Sequence, residues 1–125
     1  MRIKLFLLLK QYGVKTVEFG VQSMCDDVLR ASRRGHCSSA VFRAVEVAKS
    51  VGMDVVLQLM TGLPEDTYDK SLKTAEEIIA LNPNAVRIYP AVVVQGTELH
   101  EMWKRGDYKE HSLEEAIELL SEAFM

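Results

Sequence analysis

The chain has 125 residues, 48% hydrophobic and 26% charged, which is enough apolar material for one compact core and excludes a disordered tail. Its formal net charge of -3 gives no support for a surface built to coat nucleic acid. The apolar run "LFLLL" at positions 5–9 is far too short to span a bilayer, and "KQYGVK" after it carries no small-residue cleavage site, so no membrane anchor or leader is expected.

In chain order, "LFLLL" reads as the buried face of a first helix. Gly13 follows where a helix end favours a left-handed residue. "TVEFGVQ" then alternates as a strand. Next comes "SMCDDVLRASRRGH", with basic residues Arg30, Arg33 and Arg34. A solvated helix end is the common reading of such a cluster. Ser38 is placed to cap a helix whose apolar positions Val41, Ala44, Val45 and Ala48 recur at helical spacing. Gly52 stops it, and the strand "VVLQLM" follows. Asp66 or Thr67 can cap a further helix bearing Leu72, Ala75, Ile78 and Ile79. Asn82–Pro83 ends that helix by another route, because proline cannot extend it. The strand "AVRIYP" comes next, and Ser112 with Glu115 forms a capping box before "AIELL". Strand cores begin near Val17, Val55 and Val86, about 30 to 40 residues apart, the spacing of βα units. The expected fold class is α/β: a parallel three-stranded βα unit, residues 1–125 forming a single unit with no linker.

Parity along a strand decides which way each side chain points. Val17, Phe19 and Val21 share one face, Glu18, Gly20 and Gln22 the other. Val55, Leu57 and Leu59 oppose Val56, Gln58 and Met60. Val86 and Ile88 oppose Arg87 and Tyr89. Crossover helices should cover the uniformly apolar face. The face with Glu18, Gln22, Gln58, Arg87 and Tyr89 then looks into a lumen. Each such group buried without a partner would cost about 1 to 3 kcal/mol. An internal Glu18–Arg87 pair with hydrogen-bonded glutamines is one resolution. A polar ligand held at the C-terminal ends of the strands is the other. Cys25 and Cys37 match no metal or disulfide pattern and read as reduced thiols of a cytoplasmic protein. No glycine-rich phosphate loop supports a phosphate-binding barrel.

Three stretches, "VEFGVQSMCDDVLRASRRGH", "LQLMTGLPEDT" and "NAVRIYPAVVVQGTEL", resemble the later half of a radical SAM core, over nearly the whole chain. The resemblance is to the branch of oxygen-independent coproporphyrinogen oxidase and the Elongator catalytic subunit, with "RIYP" and "GTEL" closer to the Elongator side. It implies half of a partial (β/α)6 TIM-like barrel. In that family a CxxxCxxC loop binds a 4Fe–4S cluster, whose free iron chelates S-adenosylmethionine, and reductive cleavage yields a 5′-deoxyadenosyl radical. The resemblance implies that Gln22 meets the cofactor inside the barrel. It implies that Arg34 faces its carboxylate, a task suited to a guanidinium fork. Gln58 stands where the oxidases carry an acid toward the ribose, and Val92 falls where backbone meets adenine. Gly62, Leu63 and Pro64 shape a turn, and His36 reads as a surface histidine.

The chain departs from the family in having no CxxxCxxC. It is therefore expected to be the C-terminal half of such a barrel, with the N-terminal half missing. The 4Fe–4S cluster would belong to the full-length parent only. That parent would be an iron–sulfur oxidoreductase or tRNA-modifying enzyme, and this chain alone would be catalytically inactive. A non-catalytic ligand-binding or assembly module is the alternative. An open sheet edge and an open lumen also predict a homodimer.

Overall fold

A computed structural model describes residues 3–32, 35–91, 95–106, 108, 118 and 121. The elements run α1 (Ile3–Gln11), β1 (Thr16–Gln22), α2 (Asp26–Ala31), α3 (Ser38–Ser50), β2 (Asp54–Thr61), α4 (Tyr68–Ala80), β3 (Ala85–Pro90) and α5 (Glu98–Lys104). The strands form one parallel sheet in the order β1-β2-β3. Each parallel step needs a crossover, and α3 and α4 supply them. The central strand β2 is paired on both sides.

The face assignment from parity holds for the apolar set. Val21, Val55, Leu57 and Leu59 are buried, and Val17, Phe19, Val86 and Ile88 pack against the same cluster. That cluster also holds Phe6 of α1, Val41, Val45 and Ala48 of α3, and Ala75 and Ile78 of α4, so the helices cover this side.

Helix ends follow a repeated plan. Gly13 and Gly52 take positive φ, as expected. Asn82 does too, at φ 53, so the third helix stops by the same left-handed route and not by the proline alone. The lysine three residues before each glycine caps a neighbouring helix. Lys10 Nζ donates to Val51 O at the end of α3, and Lys49 Nζ donates to Leu81 O and Asn82 O at the end of α4. A cation there meets carbonyls that have no partner within their own helix. Asn84 fixes the start of β3, with its Oδ1 accepting from Val55 N and its own N–H donating to Val55 O.

Several expectations need correction. "LFLLL" is not a buried face: Phe6 is buried, whereas Leu5, Leu7 and Leu8 are about half exposed. A short helix with apolar residues all round has more apolar surface than one sheet face can cover. Ser38 does not cap α3. Cys37 holds the cap position without a side-chain bond to the helix backbone, and Asp26 Oδ1 of α2 accepts from Ser38 N at 2.8 Å. For α4 the cap is Thr67, whose Oγ1 accepts from Lys70 N. The buried face of α4 is Ser71, Thr74, Ala75 and Ile78, with Ile79 exposed. The helix is rotated because Ser71 and Thr74 have polar partners to meet inside. The Ser112–Glu115 capping box lies outside the described residues.

Candidate functional site

The site is the open face of the sheet together with the loops at the C-terminal ends of the strands. Register places Gly20, Gln58 and Arg87 side by side across the three strands, with Met60 beside Tyr89 one step further on. Glu18 and Arg87 reach across β2 and pair at 3.5 Å (Oε1 to Nε). Both side chains are substantially exposed, so this is the screened kind of pair, contributing about 0 to 1 kcal/mol. Gln58 is half-buried and Tyr89 exposed.

Gln22 departs from simple alternation. The register slips between Gly20 and Gln22, so that Gln22 pairs with Leu59. Its φ is +66, a left-handed conformation uncommon for a residue with a Cβ. Val21 and Gln22 are consequently both buried, where a regular strand would expose one of them. Gln22 Oε1 is buried and has no hydrogen-bond partner among the described residues. An orphaned buried acceptor costs about 1 to 3 kcal/mol, and a strained bulge adds to that. The end of β1 is thus built at a cost to stability.

The loop after β1 is held from α4. Thr74 Oγ1 accepts from Met24 N at 3.1 Å and lies 3.4 Å from Ser23 Oγ, which itself accepts from Cys25 N. Lys70 Nζ bonds Asp27 Oδ2 at 2.6 Å and Glu65 O at 2.8 Å, tying the β1 loop to the β2 loop. That pair holds Asp27 below the ordinary carboxylate value and Lys70 above its own. Asp26 is likewise lowered, chiefly by the Ser38 N–H.

The turn after β2 is closed by Asp66, whose carboxylate accepts from Gly62 N, Thr67 N and Ser71 Oγ. Tyr108 OH donates to Gly62 O. The structural role expected of Gly62, Leu63 and Pro64 agrees with this closure. Pro64 and Leu63, with Ala31, Leu99 and Met102, line a cavity of about 180 Å³. Ser32 also lines it, and its buried Oγ has no partner among the described residues.

His36 is more than a surface residue. It is half-buried, and its Nε2 lies 3.2 Å from Val21 O, within hydrogen-bond reach of the bulged end of β1. Arg34 and Val92 lie outside the described residues. Ser23 and Thr74 carried no mark in the sequence. Hydroxyls on an amphipathic helix give no period signal of their own. Asp66 was legible only as a cap, and it closes the preceding turn instead. The helix end read at Arg30 is the end of α2, whereas the short helix α5 was not foreseen, being too brief for a periodic pattern.

Cys25 is buried with its Sγ 3.8 Å from Lys70 O, and Cys37 is exposed with its thiol lowered by the Ser39 hydroxyl at 2.9 Å. Two separated thiols are not the three-cysteine donor set of a 4Fe–4S cluster, and the described residues contain no group of three His, Cys, Asp or Glu that could hold a metal. The chain's donors therefore do not fit the cluster. The orphaned Gln22 Oε1 does fit a polar ligand at the strand ends.

The parallel βα sheet defines the fold class as α/β. The Radical SAM superfamily model matches residues 1–78 and the Radical_SAM C-terminal domain model residues 83–125. The chain belongs to the radical SAM superfamily. It is 40% identical over 114 residues to a tRNA uridine(34) acetyltransferase of Methanocaldococcus infernus, and 36% identical over 113 residues to Homo sapiens Elongator complex protein 3. These matches cover 89% and 88% of this chain, and the chain spans about a fifth of either relative's length. Among solved structures, the archaeal Methanocaldococcus infernus Elp3 superposes with a TM-score of 0.89 at 38% identity, covering all of this chain and 30% of that one. Coproporphyrinogen III oxidase from Escherichia coli shares the fold, with a TM-score of 0.78 at 19% identity over 98% of this chain and 28% of that one. The identities favour the Elongator side, as "RIYP" and "GTEL" suggested. No described helix is long and apolar enough to cross a membrane.

Proposed function

We propose that this chain forms the later wall of a radical SAM lumen and serves a tRNA-modifying reaction of the Elongator type. The observation that carries this reading is Gln22: a buried amide oxygen without a described partner, on a strained bulge at the C-terminal end of β1. A polar ligand that donates a hydrogen bond there would offset the cost. In this reading Gln22 and Gln58 face S-adenosylmethionine, Arg34 its carboxylate, and Val92 its adenine. Glu18, Arg87 and Tyr89 line the lumen. When bound, S-adenosylmethionine supplies the radical through a cluster held by another segment. The residues of this chain orient the cofactor and exclude water. The tRNA assignment rests on the relatives' names and on 40% identity.

The other reading is a module that binds ligand without redox chemistry. A chimera separates the two. This chain replaces the matching segment of the archaeal Elp3, followed by anaerobic reconstitution and measurement of S-adenosylmethionine cleavage. The lumen reading expects cleavage comparable to the parent. A folded, iron-loaded chimera that neither binds nor cleaves the cofactor would overturn it and leave the non-catalytic module.

A further inference from the structure

The mouth formed by the loops after the strands carries one feature that the cofactor reading does not use. The helix α5 follows β3 and sits at this end. It packs inward through Leu99 and Met102, which line the cavity shared with Leu63 and Pro64. Residues 100 and 103 lie one position further round the helix, on a different face. There the His100 and Trp103 rings stack, with centroids 5.7 Å apart and planes 20° from parallel. Trp103 is the only tryptophan of the chain, and it is 45% exposed. An indole is seldom left this open, and its large apolar face usually finds cover. Here histidine covers one side and fixes the ring, leaving the remainder to solvent. Lys104 follows in the chain and pairs loosely with Glu101 at 3.9 Å. A half-open aromatic ring on an element that also carries a cation is one way proteins hold single-stranded nucleic acid: the ring stacks on a base, and the cation meets the backbone.

We propose that His100 and Trp103, with Lys104, form a stacking platform for an unpaired nucleobase of a single-stranded RNA segment delivered to the mouth. This rests on the RNA-substrate reading above and gives it a location. The rest of the mouth has mixed charge. Stacking therefore supplies most of the affinity, and duplex RNA, whose bases are already stacked, is a poor ligand.

The single tryptophan makes the test direct. The chain is titrated with single-stranded oligouridine of about eight nucleotides at fixed ionic strength, and the emission is followed. The expected result is saturable quenching, absent with fully paired RNA. Trp103→Ala should weaken binding by about tenfold or more, while Trp103→Phe keeps most of it. Circular dichroism verifies that the variants fold. If RNA binds without quenching and Trp103→Ala binds as tightly, the platform is wrong and the RNA reading stands. If neither form of RNA binds, the RNA reading falls and the platform with it.

Discussion

On the helix side of the sheet, Val55 and Leu57 are fully buried and Leu59 nearly so, all within one apolar cluster. On the opposite side of the same strands, Val56, Gln58 and Met60 are only half-buried, and the Glu18–Arg87 pair is open to solvent. The two sides share a backbone, a register and a set of hydrogen bonds. They differ in whether their side chains find enough partners within the described structure. The helix side holds the apolar cluster and carries most of the burial. The open side is not filled by the described residues, and at the bulged end of β1 the buried Gln22 Oε1 is left without a described partner. A sheet made only for stability would have the same finish on both sides or turn the second to water outright. This one keeps a half-buried surface of mixed polar and apolar residues on its second side.

The comparison predicts its own largest effect. Leu57→Ala should destabilise the fold by about 2 to 5 kcal/mol, whereas Met60→Ala on the open side should cost under about 1 kcal/mol. Denaturant melts read the difference. Equal losses would mean that the open side is as closely packed as the helix side. Next in size is Thr74→Val. It removes the acceptor for Met24 N and should cost about 1 to 3 kcal/mol by leaving that buried N–H unpaired. Hydrogen exchange should show the loss concentrated in the loop after β1.

A smaller effect comes from pH. Asp26 and Asp27 have folded values below the ordinary 3.8. Groups lowered in this way contribute stability above that value and lose it as pH falls through the folded value. The α2–α3 and α2–α4 ties should therefore loosen below about pH 4, while Asp27→Asn with Asp26→Asn flattens the acid limb of a melt series. Smallest in energy is self-association. With β1 and β3 at the sheet's edges and Leu5, Leu7 and Leu8 half exposed, sedimentation equilibrium at micromolar concentration should show a reversible dimer. A concentration-independent 14.1 kDa monomer would show that these edges need no cover.

The helix side was legible in the sequence because strand parity and helical period both mark it. Val17, Phe19 and Val21 alternate as read, and Val41, Ala44, Val45 and Ala48 are all buried. Gly13 and Gly52 announced their left-handed ends. The open side was legible only up to Gly20. A β-bulge carries no reliable mark in a single sequence, so the parity argument could not foresee that Val21 and Gln22 would both be buried. Polar contacts across the fold, such as Thr74 with Met24 N or His36 with Val21 O, join residues far apart in the chain and leave no local pattern. The run "LFLLL" was misread because an apolar stretch reports hydrophobicity and not which of its faces finds a neighbour.

The central claim is that the strained end of β1 is built to hold the cofactor, and the archaeal chimera tests it most directly through Gln22. Gln22→Ala should leave the chimera's iron content unchanged and raise its KM for S-adenosylmethionine by about tenfold, the loss expected for one buried hydrogen bond. An unchanged KM in a folded, iron-loaded Gln22→Ala chimera would contradict the claim and make the bulge a structural feature alone.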